Sequence, residues 1–172
     1  LTRNISSFQG SAPVIHDTAF IDDSARVIGD VLVGEGVSIW PMAVERADEA
    51  ATVIGKGSAI LDLSLLESPA GLPVAIGEGS IISHGAIVHG ASIASGVLVG
   101  AGAMVLDNAV VGEGSIVAAG AVVTPRTVIP PNSLVLGSPG RVARATTLEE
   151  RQGVTKQARG LFRKSRAYLA EP

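Results

Sequence analysis

The segment SHGAIVHG (Ser83–Gly90) places two imidazoles, His84 and His89, five residues apart. Imidazole serves as a neutral metal ligand and as a proton carrier near neutral pH, so the pair is the first place to look for chemistry. A helix would bring residues i and i+4 onto one face, and a spacing of five does not match it. Whether the two imidazoles serve one ion or act separately depends on the elements that carry them.

Those elements follow a six-residue period. Aliphatic residues recur at Ile15, Ile21, Val27, Val33 and Ile39, at Ile54, Ile60 and Leu66, and at Ile76, Ile82 and Val88. The longest run is Ile93, Val99, Val105, Val111, Val117, Val123, Ile129 and Val135. A small or β-branched residue follows most of them four positions later, as at Ala25, Ser58, Ser64, Ser80, Ala103 and Ser115. Six residues fit a short strand plus a corner: the large aliphatic points inward and the small residue fills the corner. Three such units close a triangular coil of about 18 residues, and coils stack at the ~4.8 Å spacing of a sheet. The pattern predicts an all-β fold, a parallel β-helix of hexapeptide repeats with about seven triangular coils. A β-sandwich would need alternating strands joined by regular hairpin turns, which the chain lacks.

Composition agrees. Apolar residues make up 47% of the chain and aromatics 3%, so the core must be narrow and aliphatic. Cysteine is absent, which gives no support for a disulfide-stapled secreted fold. A net charge of −3 argues against bulk nucleic-acid binding. No apolar run approaches the roughly 20 residues of a membrane span. The first residues, LTRNISSFQG, lack the apolar stretch of a secretory signal, and a start at Leu1 is consistent with a missing upstream piece. A cytoplasmic location is the expectation.

The tail changes character after Pro130-Pro131 and Gly137-Ser138-Pro139-Gly140. Thr147 and Glu150 have the spacing of a capping box, and Val154, Ala158, Leu161, Phe162, Tyr168 and Leu169 form an apolar stripe beyond it. The chain therefore divides into a β-helix over 1–144 and a C-terminal helical segment over 145–172 that packs along it. Gly153 and Gly160 should weaken or divide that helix. Its basic residues, Lys156, Arg159, Arg163, Lys164 and Arg166, are expected to form a solvated face.

Assigning repeats to three faces, A, B and C in chain order, positions the polar residues. Leu66, Val88 and Val105 point inward from face A, and Glu45 takes the face A slot in the coil below. The gaps Glu45 to Ile54 and Leu66 to Ile76 each count as a strand plus a bulged-out loop. Arg46, Glu67, His89 and Leu106 then form one outward column on face A, with neighbours ~4.8 Å apart. Asp62 and His84 form a second column off face C. Glu67 above Arg46 makes an ion pair available with no metal present, and Arg46 and Asp48 are placed to pair across a subunit interface. His84 and His89 thus leave different faces, and a threefold axis could bring face A of one copy to face C of the next. His16 is expected at the surface, and Trp40 is expected to pack at an interface.

These residues resemble the gamma-class carbonic anhydrase family of hexapeptide-repeat proteins. The resemblance is carried by VIGDVLVGEGVSIWPMAVERAD (Val27–Asp48), SHGAIVHG, LVGAGAMVLDNAVV (Leu98–Val111) and SLVLGSPGRVAR (Ser133–Arg144). It implies a left-handed coil, a homotrimer, and zinc or another divalent metal held at subunit interfaces by three histidines, two from one chain and one from the next. His84 and His89 match two of the three. Arg46, Ala47 and Asp48 stand at the family's Arg-Gly-Asp segment, and Asp62 at its Asp after the buried strand. Two positions depart: Glu67 stands at the first histidine, and Leu61 at a Gln. The implied site is Glu67, His84 and His89 as metal ligands, with Arg46, Asp48 and Asp62 catalytic. In the family's reaction zinc acidifies a water that attacks carbon dioxide. A carboxylate ligand cancels one unit of the ion's charge, so Glu67 implies weak or no hydration, although His2Glu zinc sites are chemically competent. The implied substrate is carbon dioxide or bicarbonate. Two alternatives stand beside this: a hexapeptide-repeat acyltransferase using an acyl-coenzyme A donor, with a His as general base, and a non-catalytic trimeric scaffold.

Overall fold

The computed structural model describes residues 4–170, so the ends of the two expected ranges, 1–3 and 171–172, lie outside the described residues. The chain forms a left-handed parallel β-helix of about seven coils, closed by a single C-terminal helix, α1 (Leu148–Ala170). Short strands of the coils stack in register. Face A aligns Val27, Glu45, Leu66, Val88, Val105 and Val123. Face B aligns Val33, Ile54, Ile76, Ile93, Val111 and Ile129. Face C aligns Ile21, Ile39, Ile60, Ile82, Val99, Val117 and Val135. Nearly all of these inward aliphatics are fully buried, each worth roughly 1.5–3 kcal/mol by removal from water.

Faces A and B are joined into one 12-stranded sheet because two long strands, Arg26–Val33 and Val44–Ile54, run through the corner between them. The extra residues expected after Glu45 appear as a register shift within the second strand, where Gly29 pairs with Ala47 and Val31 with Thr52. The longer connection after Leu66 stacks on that bulge: Ser68 Oγ lies 2.7 Å from Thr52 Oγ1, and Ala70 N donates to Glu49 Oε2 at 3.1 Å. The small corner serines, which the repeat pattern marks only as fillers, also satisfy backbone groups that the turns leave free. Ser80 Oγ donates to Ala94 O at 2.8 Å and accepts from Val97 N at 3.1 Å. Ser58 and Ser115 repeat the pattern in other coils.

Helix α1 starts where its capping box predicts. Glu150 N donates to Thr147 Oγ1 and Thr147 N to Glu150 Oε2. Arg144 grips the same carboxylate with two nitrogens, at 2.7 and 2.9 Å. That guanidinium, with the Thr147 amide, holds the Glu150 carboxyl down to about 2. The helix lies against face C and runs back toward the first coils. Val154 and Ala158 are buried there, in a second apolar cluster with Phe20, Trp40, Ala59, Leu61 and Ile81. Trp40, expected at a subunit interface, is instead covered by the chain's own helix. It packs edge-on to Tyr168 at 5.3 Å and tilted to Phe20 at 5.4 Å, with Lys164 Nζ 5.1 Å from its ring. Arg166 likewise stacks on Phe162, so part of the expected solvated basic face lies on aromatic rings.

Gly153 and Gly160 do not divide α1, which is continuous. A Cβ at either glycine would meet nothing within 4 Å outside the helix backbone. Replacing each with alanine should therefore stabilise the protein by about 1 kcal/mol, read as a higher denaturant midpoint with unchanged slope.

Candidate functional site

The site is built at the two edges of face A. Its outward column runs Arg46, Glu67, His89, paired coil by coil by the strand register. Strand geometry alone puts these side chains on the same surface, one sheet spacing apart. Arg46 bonds Glu67 through Nη2 and Asp48 through Nη1, the latter at 3.2 Å. Both contacts lie within one chain. His89 Nε2 lies 3.8 Å from Glu67 Oε1, and His89 Nδ1 is hydrogen-bonded to Asp107 Oδ1. The result is a half-buried chain of groups, Asp48–Arg46–Glu67–His89–Asp107, lying toward the corner between faces A and B. When ionised, its three carboxylates outnumber its one guanidinium by two charges.

Asp107 is the residue the repeat pattern misses. The column rule puts Leu106 next to His89. Asp107 sits at the following corner, where Asn108 takes φ +57°, and from there it reaches back one coil. The signal was the Asp-Asn pair at a corner position, since corner side chains address neighbouring coils.

The second edge is the corner between faces C and A. His84 Nε2 lies 3.5 Å from Asp62 Oδ2, and Ser83 Oγ lies 3.3 Å from His84 Nδ1. This pair is more open than the first: the His84 side chain is 63% exposed, against 31% for His89. His84 and His89 therefore stand at opposite edges of the same face. Among the described residues of one chain, no group of three metal-ligating side chains comes together. Leu61, beside Asp62, does not face this edge. It is buried under α1 with Trp40, as a packing residue. His16 is exposed and its ring bonds Thr18, in keeping with its expected surface position.

The corner that carries Asp62 and His84 has a further property. Met42 and Leu63 occupy it in the two coils below His84, with φ +60° and +62°, where higher coils have Gly85, Gly102 and Gly120. Left-handed conformation is uncommon for bulky residues and disfavoured by roughly 1–2 kcal/mol each. Both side chains are also about 60% exposed.

Glu45 lies directly beneath this site but faces inward. It is fully buried between Val27 and Leu66 on the face A column, and neither carboxyl oxygen has a hydrogen-bond partner. Burial pushes its carboxyl well above the ordinary value.

The profile of the bacterial transferase hexapeptide (six repeats) family matches residues 90–125. The carnitine operon protein CaiE of Escherichia coli is 38% identical over 78 residues, which is 45% of this chain and 40% of that protein. The match thus spans two-fifths of the curated relative's length. A hexapeptide transferase family protein from Anaplasma phagocytophilum has a solved structure that superposes with a TM-score of 0.94 at 33% identity, covering 98% of this chain and 99% of that one. A Bacillus cereus protein assigned as an acetyltransferase superposes at 0.93 with 34% identity, covering 95% of each chain.

Proposed function

Because this chain belongs to the hexapeptide-repeat transferase family, we propose that it acts as a homotrimer whose contacts bring the Glu67–His89 edge of one copy to the Asp62–His84 edge of the next. The shared pocket is a divalent-metal site of the gamma carbonic anhydrase type, with weak or no carbon dioxide hydration. The observation that carries this reading is the placement of the two imidazoles at opposite edges of one face, an arrangement that only a second copy can unite. The strained, exposed Met42 and Leu63 beside His84 supply the apolar contact such an assembly needs.

The donor set fits a metal. Two ligands of a tetrahedral ion at ~2.1 Å stand about 3.4 Å apart, and His89 Nε2 and Glu67 Oε1 are 3.8 Å apart before any adjustment. Asp107 on Nδ1 fixes the His89 tautomer so that Nε2 is the free acceptor, as an outer carboxylate does for a ligating histidine. His84 is oriented by Asp62 of its own chain, 3.5 Å away. Arg46 holds Glu67 in place and screens its charge, and Asp48 in turn holds Arg46. A bound divalent ion would supply Lewis acidity toward water or a carbonyl oxygen.

A second reading has its own support. Arg46 already engages Glu67, and a His89 oriented by Asp107 is equally a general base. In that reading His89 takes the proton from an acceptor amine or hydroxyl as it attacks an acyl-coenzyme A thioester, and the thiol leaves. The sequence and structural likeness to the Bacillus cereus protein favours it.

Metal analysis of protein purified without chelator separates the two readings. The metal reading expects about one zinc or similar ion per chain, lost in both His84→Ala and His89→Ala while the trimer persists by light scattering. A monomer, or metal far below one ion per chain, overturns it. Stabilisation by acetyl-coenzyme A with none from zinc supports acyl transfer. Loss of nothing measurable in either variant supports a scaffold.

A further inference from the structure

A groove of about 600 Å³ runs between α1 and the corner that joins faces B and C, within the size range of ligand clefts. It lies on the far side of face C from the Asp62–His84 corner and shares no residue with the Arg46–Glu67–His89 chain. Its floor is bare backbone. Gly57, Gly79 and Gly96 stack in successive coils, and a Cβ on any of them would meet nothing within 4 Å. Their φ values of +67°, +62° and +63° disfavour any side chain there. Two coil rises make this floor ~10 Å long. Phe162 closes one end, against Gly36. Ala158 and Thr155 of α1 form the facing wall.

The charges at the rim are unequal in their partners. Lys56 bonds Glu35 at 2.8 Å, so the cation that the coil corners contribute to the groove lining already has a carboxylate partner. Arg159 projects from α1 on the opposite wall, exposed, with no hydrogen bond or ion pair among the described residues. A slim apolar slot with an unpartnered guanidinium at its lip fits an aliphatic chain that ends in an anion.

We propose that this groove binds a medium-chain aliphatic carboxylate, its chain lying along the stacked glycine corners and its carboxylate on Arg159. The proposal is independent of the metal and acyl-transfer readings, which concern the two edges of face A.

Calorimetric titration of the assembled protein with decanoate, below its micelle concentration, tests it. The expected result is saturable binding of one decanoate per chain, with decanol and decylamine each at least tenfold weaker. Arg159→Gln should lower decanoate affinity about tenfold and leave decanol unchanged. Thr155→Trp, which fills the slot from an exposed helix position, should abolish binding of both. Helix content by circular dichroism checks that the variants fold, and the ligand series on the unaltered protein decides the charge preference regardless. Absence of saturable binding, decylamine binding as tightly as decanoate, or wild-type affinity in both variants overturns the proposal.

Discussion

Exchanging Glu45 for leucine should raise the thermal midpoint of the protein, and the gain should grow with pH. Glu45 stands where neighbouring coils have Val27 and Leu66, and its carboxyl oxygens meet no donor. The folded state therefore keeps this carboxyl protonated at pH values where the unfolded chain has released the proton. In that window the unfolded state binds fewer protons than the folded one, so stability falls as pH rises above the ordinary carboxyl value of 4.5 and levels off only beyond the raised folded value. Each pH unit of that window opposes folding by about 1.4 kcal/mol. Leucine removes that term and adds buried apolar surface. Glutamine removes the titration but leaves a polar group without a partner, so Glu45→Gln should flatten the pH dependence with a smaller gain. Chemical denaturation at a series of pH values between 4 and 8 reads both effects. A wild type whose stability does not decline across that range would show that Glu45 finds a partner in solution.

Converting Glu67 to histidine should produce the largest change in activity. The substitution supplies a third imidazole to the proposed pocket and restores the full double charge of a bound ion toward its water. Arg46 loses one partner and keeps Asp48, so the local fold should hold. Carbon dioxide hydration, followed by stopped flow with a pH indicator, is expected to rise at least tenfold, which is about 1.4 kcal/mol of barrier. A variant that binds zinc without any rise would place the defect elsewhere in the pocket. Failure of the variant to bind zinc at all would remove the metal reading.

The coil count was legible from sequence because the period is imposed by sterics. Only one residue in six must point into a narrow core, and an aliphatic there leaves a clear mark. The count correctly stacks Arg46, Glu67 and His89 and sets His84 one coil beyond Asp62. What depends on corners and tertiary contacts was not legible. Asp107 reaches His89 from a turn, outside the column rule. Trp40 and Leu61 project from face C as an interface or site residue would, and only the path of α1 shows that the chain covers them itself. The serines at Ser58, Ser80 and Ser115 satisfy the repeat by size alone, and their hydrogen bonds appear only when the coils are stacked.

Solenoids ordinarily behave as linear arrays in which each repeat holds only its neighbours and either end can fray. Here α1 leaves the last coil, where Thr146 bonds Asn132 and Gly114, and ends with Tyr168 against Phe20 in one of the first. It fastens the two ends of the array to each other. Melting should then be a single cooperative event rather than a progressive unzipping from either terminus.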